Sequence, residues 1–225
     1  MKYTFNHELE SLKLKVMHIA SAASRAVEDS YQAWASMDDD LAKAVIQADE
    51  ETDHLEVEID DACLRILALD QPVAHDLRFV IGSMQVADFL ESIADQAVKI
   101  CNRVLTITEK PSLKYDPLLE SLYIHVHDML EKVIEAYNHE DADLAADVFM
   151  SDSEANDINH RILHESSRNM ADDPSQIEFQ VYRIMMSRYL ERIGDLAGNA
   201  AQSVLLIKKG LNVKHTMKKA SRPSA

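Results

Sequence analysis

Two short acidic motifs have the residue types and spacing to hold cations. They are Leu90-Glu91-Ser92-Ile93-Ala94-Asp95 and, 100 residues later, Leu190-Glu191-Arg192-Ile193-Gly194-Asp195. Each is a Glu-x-x-x-Asp unit inside an apolar, helix-periodic segment. A step of four residues puts both carboxylates on one helix face, one turn apart. Two carboxylates side by side repel, and both are costly to desolvate. A bound cation relieves both penalties. A solvated acidic stripe at a bundle edge, neutralised by Lys or Arg, is the simpler alternative.

Further acids precede each motif: Asp49-x-x-x-Asp53 in the first half and Asp152-x-x-x-Asn156 in the second. Each group is separated from its Glu-x-x-x-Asp partner by a proline-containing breaker, Asp70-Gln71-Pro72 or Asp172-Asp173-Pro174. So short a connection forces the flanking helices to run antiparallel. Residues equally far from the turn then lie level, at about 1.5 Å per residue. Asp49 lies 23 residues before Pro72 and Asp95 lies 23 after it, while Asp53 and Glu91 lie 19 before and 19 after. In the second half Asn156 lies 17 before the turn at Asp173 and Pro174 and Glu191 lies 17 after it. Asp152 and Asp195 lie 21 before and 21 after. The candidate ligands are therefore Asp49, Asp53, Glu91 and Asp95 in one group and Asp152, Asn156, Glu191 and Asp195 in the other. All-oxygen donors suit Mg²⁺, Mn²⁺, Fe or Zn²⁺, and the sequence does not choose among them.

The elements that would position these groups are helices. Gly (4) and Pro (5) are scarce in the 225 residues and aromatics make up 6%, which favours an all-α fold. Periodicity predicts helices from Asn6, as N-cap, to about Ser36, from Asp38-Asp39-Asp40 to about Leu69, and from Val73 to about Thr108, opened by Pro72. The two-proline stretch Lys110 to Pro117 reads as a domain boundary. Helices follow from about Leu118 to Tyr137, from the polar turn Asn138 to Asp143 on to about Ala171, and from Pro174 to about Lys209. The segments Asp40-Leu41-Ala42 and Asp143-Leu144-Ala145 align at nearly the same offset as the breakers and the acidic motifs. The chain is thus an internal repeat of two antiparallel three-helix bundles, residues 1–110 and 111–209, each with its own core. Residues 210–225 are expected to be a basic, flexible tail, with Lys214, Lys218, Lys219 and Arg222 and no acid, either a solvated end or a contact for an acidic partner or anionic lipid.

A net charge of −16 argues against a nucleic-acid surface. Cys63 and Cys101, the only cysteines, read as buried fillers in a reducing compartment. With no signal-peptide core and no long apolar run, a cytoplasmic location is expected. There is no phosphate-cradling Gly-rich loop, no nucleophile–base set and no Glu-x-x-His beside the acids. His54, His75, His160 and His164 read as surface residues, Trp34, Met84, Met185 and Met186 as core. Arg78 and Arg183 read as surface ion-pair partners.

Together Asp49-x-x-x-Asp53, Gln71-Pro72-Val73-Ala74-x-Asp76-Leu77-Arg78 and the two Leu-Glu-x-Ile-x-Asp motifs resemble the PhoU family of phosphate-signalling regulators, over residues 1 to 209. The resemblance implies two pseudo-symmetric three-helix bundles whose acidic motifs can hold metal ions. It also implies a non-enzymatic homodimer that represses the phosphate-starvation response by linking a phosphate ABC transporter ATPase to a sensor histidine kinase. Two departures stand out. Ser92 and Ala94 replace the usual Arg and Gly of the first repeat, and Asn156 replaces an aspartate of the second. Asn156 carries no charge, so the second site is expected to be the weaker. The competing reading is a metal-independent acidic adaptor that binds basic partner surfaces.

Overall fold

The computed structural model describes residues 2–107 and 116–210, without the side chains of residues 2–4. It contains α1 (Lys2–Ser36), α2 (Asp39–Leu69), α3 (Ala74–Thr106), α4 (Pro117–His139), α5 (Ala142–Asp172) and α6 (Ile177–Lys209), with a 3-10 turn at Pro174–Gln176. The predicted fold class holds: α1–α3 and α4–α6 are two antiparallel three-helix bundles of the same design.

The helix ends follow from local chemistry. Asp38 caps α2, Asp116 caps α4 and Asp141 caps α5, each accepting two backbone N–H groups at its carboxylate. Such caps satisfy donors that a helix start otherwise leaves unpaired. Three sequence expectations need correction. Asn6 is no N-cap, because α1 already runs from Lys2. Pro72 does not open α3; extended Val73 precedes the helix, which begins at Ala74. It is Pro117 that occupies the first turn of a helix, where a missing N–H costs nothing. The turn expected over Asn138 to Asp143 shrinks to Glu140 and Asp141, because α4 runs to His139 and Glu140 adopts the left-handed conformation. The proposed boundary at 110/111 and the tail beyond Gly210 lie outside the described residues.

The bundles do not keep separate cores. Leu12, Val16, Ile19, Ile59, Leu90, Ile93 and Ile100 of the first join Leu122, Met129, Leu130, Ile162, Leu190 and Ile193 of the second in one connected apolar cluster. Contacts between α3 and α6 and between α1 and α4 make that connection. Across it, the buried Tyr137 hydroxyl meets Ser83 Oγ at 2.7 Å, Tyr31 stacks on Tyr123 at 3.8 Å, and Ser203 Oγ donates to Gln85 Oε1 at 3.0 Å. Gly82 on α3 lies close against α6, and a Cβ there would collide with the Ile207 side chain. Cys63, Cys101, Trp34 and Met186 are buried, as expected.

A Gly82→Val variant is predicted to lose about 1–3 kcal/mol of stability through overpacking of the α3/α6 contact. Urea unfolding monitored by circular dichroism checks this; an unchanged midpoint contradicts it.

Candidate functional site

The α2–α3 turn does bring the first acidic group together. The charge of Asp95 acts on Asp49, and the charge of Asp53 acts on Glu91, as the equal distances from Pro72 require. Burial pushes the Asp49 carboxyl up to about 6, assisted by the negative charges of Asp53 and Asp95. Burial pushes Glu91 up to about 7, with Glu56, Asp95 and Asp53 adding repulsion and the Ser92 hydroxyl offsetting part of it. One cation stands close by: Lys99 Nζ lies 2.8 Å from Asp95 Oδ2.

The seam is longer than the motif reading anticipated. Glu56 and Asp60 on α2 and Asp88 on α3 continue it towards the turn. Burial raises the Glu56 carboxyl, and Asp60, Asp88 and Asp53 raise it further. Asp60 is raised by burial, then by Asp88 and Asp61. The signal was available: Glu56 lies 16 residues before Pro72 and Asp88 lies 16 after it. Glu56-x-x-x-Asp60 is itself a four-residue acidic unit, but the second repeat has Asn159 and Leu163 at the matching places, so it does not stand out as a repeated motif.

The second seam, between α5 and α6, has the same backbone arrangement and a different charge. Asp152 packs over Gly198, one turn from Asp195; a Cβ on Gly198 would stand 3.9 Å from the Asp152 carboxyl carbon. Asn156 turns its amide nitrogen back to the Asp152 carbonyl oxygen at 3.0 Å. Arg188 Nη1 lies 3.6 Å from Glu191 Oε2, and Arg192 Nη1 lies 3.5 Å from Asp195 Oδ2. Burial and Asp195 still raise the Glu191 carboxyl, but Arg188, Arg192 and His160 oppose them. At the levels of Glu56 and Asp88 in the first repeat, the second has Asn159 and Arg188. Asn159 is buried and accepts a hydrogen bond from Ser187 Oγ at 2.9 Å.

Among the described residues, no three or more His, Cys, Asp or Glu side chains converge tightly enough to hold a metal ion as placed. The first seam sets carboxylates on facing helix turns, where burial and neighbouring negative charge favour their protonated forms.

The remaining sequence candidates sit elsewhere. His160 and His164 are exposed on α5. His54 lies on the surface, while half-exposed His75 meets Glu140 Oε2 at 2.8 Å, linking the two bundles. Neither arginine is a surface ion-pair partner. Arg78 Nε donates to the Ile207 carbonyl at 3.1 Å near the end of α6. Arg183 is 5% exposed and donates to Asp116, Glu165 and Ser166 Oγ. It fastens the N-cap of α4 to α5 and α6. Its early place in α6 gave no hint of burial, since the acids it meets lie 67 and 18 residues away in sequence.

The comparisons with known proteins agree with the fold. The family model described as "PhoU domain" matches twice, at residues 16–104 and 119–204. The chain belongs to the PhoU family. It is 35% identical over 214 residues to the phosphate-specific transport system accessory protein PhoU of Escherichia coli K12, covering 94% of this chain and 88% of that protein. It is 30% identical over 208 residues to the homologue from Aquifex aeolicus, covering 92% and 94%. The crystal structure of PhoU from Pseudomonas aeruginosa superposes with a TM-score of 0.87 at 31% identity, covering 92% of this chain and all of that one. Among the described residues no helix is long and apolar enough to cross a membrane.

The raised carboxyls set a pH dependence. Asp49 and Glu91 hold protons in the fold at pH values where the unfolded chain has released them. Their contribution is fully present below about pH 4, the ordinary carboxyl range, and is lost as pH rises through about 6 and 7. Glu91→Gln is therefore predicted to raise the melting temperature at pH 8 and to change it little at pH 5. Thermal melts in chelator at the two pH values check this; an equal effect at both contradicts it.

Proposed function

We propose that this chain is a non-catalytic, cytoplasmic regulator of phosphate uptake and of the phosphate-starvation response. In this reading it couples a phosphate ABC transporter ATPase to a sensor histidine kinase and works as a homodimer. Relatives named as accessory proteins of the phosphate-specific transport system, matching nearly end to end, support the transporter half. The kinase half rests on the family resemblance.

One observation carries the mechanism: the first seam keeps its carboxylates level, partly buried and short of countercharge. In this reading a divalent or transition metal ion binds Asp49, Asp53, Glu91 and Asp95 and fixes the spacing of α2 and α3. The partner reads that spacing. The second site, Asp152, Asn156, Glu191 and Asp195, is weaker, because Arg188 and Arg192 already neutralise two of its acids and Asn156 adds no charge. The alternative, a metal-independent adaptor, takes the acidic face itself as the docking surface for a basic partner.

Elemental analysis of protein purified without chelator, after exposure to Fe, Mn, Zn and Mg, separates the two readings. Metal in the parent should fall by half or more in Glu91→Ala/Asp95→Ala and by less in Glu191→Ala/Asp195→Ala. No metal in the parent sinks the metal reading, and a larger loss from the second variant reverses the ranking of sites. For the regulatory role, cells lacking this protein should express a phosphate-starvation reporter in high phosphate. The parent gene should silence it and the first-seam variant should do so poorly. Full silencing by that variant would show the first seam to be irrelevant.

A further inference from the structure

The outward face of α2 and α3 is not purely acidic. Val57 and Leu64, seven residues apart and so on one side of α2, are each 57% exposed, and Ile81 on α3 is 37% exposed. Leu64 lies 8 residues before Pro72 and Ile81 lies 9 after it, so the two stand nearly level. Val57 is likewise close to the level of Asp88. The face thus offers apolar residues near the turn, then Glu56, Asp60 and Asp88, then Asp53 and Glu91. α3 packs against α1, α2 and α6, and this strip is the side it leaves uncovered between α2 and α6.

The end of α6 lies beside the start of this strip. Arg78 Nε holds the Ile207 carbonyl, and a Cβ placed on Gly210, whose φ is 66°, would stand 3.6 Å from Arg78 Nε. The chain therefore leaves α6 at the level of Arg78, three residues below Ile81. Residues 211–225 lie outside the described residues. Their sequence interleaves Leu211, Val213 and Met217 with Lys214, Lys218, Lys219 and Arg222 and holds no acid. This complements the strip in both character and order.

We propose that segment 211–225 docks in cis along the outer face of α2 and α3. Leu211 and Val213 cover Leu64 and Ile81, and the lysines meet the acids above them. Reach is sufficient. Lys214, four residues past Gly210, is about 13 Å along an extended chain, and Asp88, ten residues up α3 from Arg78, is about 15 Å along the helix. Lys218 and Lys219 reach about 26–30 Å, and Glu91 and Asp95 lie about 20–26 Å up α3. The second seam is a poorer target, because Arg188, Arg192 and His160 stand among its acids. Segment 211–225 is then a built-in countercharge for the first seam, and any cation or basic partner seeking that seam must displace it. The inference shares the first seam with the proposed function but requires no metal.

The test is zero-length carbodiimide cross-linking of the full chain in metal-free, low-salt buffer, on an equal mixture of ¹⁴N and ¹⁵N protein. The expected result is cross-links from Lys214, Lys218 or Lys219 to Asp60, Asp88 or Glu91, within one isotope only. Their yield should fall about tenfold in 1 M salt, where charges are screened within about 3 Å. Cross-links to Glu191 or Asp195, mixed-isotope pairs, or no tail cross-links overturn the proposal. A second variant reads docking without relying on the lysines as cross-linkers. With Lys214→Glu, Lys218→Glu and Lys219→Glu combined, carboxyl labelling of Asp60 and Asp88 should rise several-fold. Unchanged labelling also overturns it.

Discussion

Repulsion between carboxylates held level on α2 and α3 is the constraint around which the first bundle is arranged. A short turn after Asp70 fixes the antiparallel register, and that register places Asp49 against Asp95 and Asp53 against Glu91. The apolar residues on either side, Leu55 and Ile59 on α2 and Leu90 and Ile93 on α3, are buried, so the helices cannot slide or separate to relieve the repulsion. Burial first, and that repulsion second, push the Asp49 and Glu91 carboxyls up to about 6 and about 7. A packed core holds together charges that would otherwise drive the helices apart, and this is what makes the stability of the seam depend on pH.

The second bundle shows how the same backbone is made less responsive. Its acids occupy equivalent turns, but arginines stand beside Glu191 and Asp195 and an amide replaces the fourth carboxylate. Where the first bundle extends its acidic run with Glu56 and Asp88, the second has Asn159 and Arg188. Duplication supplied two geometrically matched seams, and side-chain substitution gave them different electrostatic fields. The continuous core and the polar ties across it, Ser83 to Tyr137 and Arg78 to Ile207, join the seams to one body. A change in spacing at one seam therefore has a packed path to the other.

The fold and the level pairs were legible because both depend on counting: helical period, breaker position and equal distance from a turn. The extension through Glu56, Asp60 and Asp88 follows from the same count, yet it hides from a search for motifs shared by both repeats, because the second has Asn159 and Leu163 where the first has Glu56 and Asp60. Arg183 was illegible for a different reason. Its burial depends on Asp116, Glu165 and Ser166 arriving from other helices, and sequence spacing says nothing about which distant acid an arginine will meet. The merged core was also hidden. Each repeat has enough apolar residues to read as self-sufficient, and the contacts of α3 with α6 and of α1 with α4 reveal that the two share an interior. The start of α1 at Lys2 in place of Asn6 shows that apolar periodicity marks where a helix is needed for packing, not where its backbone begins.

The measurement that tests this account most directly is the thermal stability of the full chain at pH 8 as Mn²⁺ or Mg²⁺ is added, compared with Asp49→Asn/Glu91→Gln. If uncompensated carboxylates at the first seam dominate, the parent should rise steadily in melting temperature with added cation. The variant should start higher and rise little. Equal rises in both proteins, or none in the parent, would contradict it.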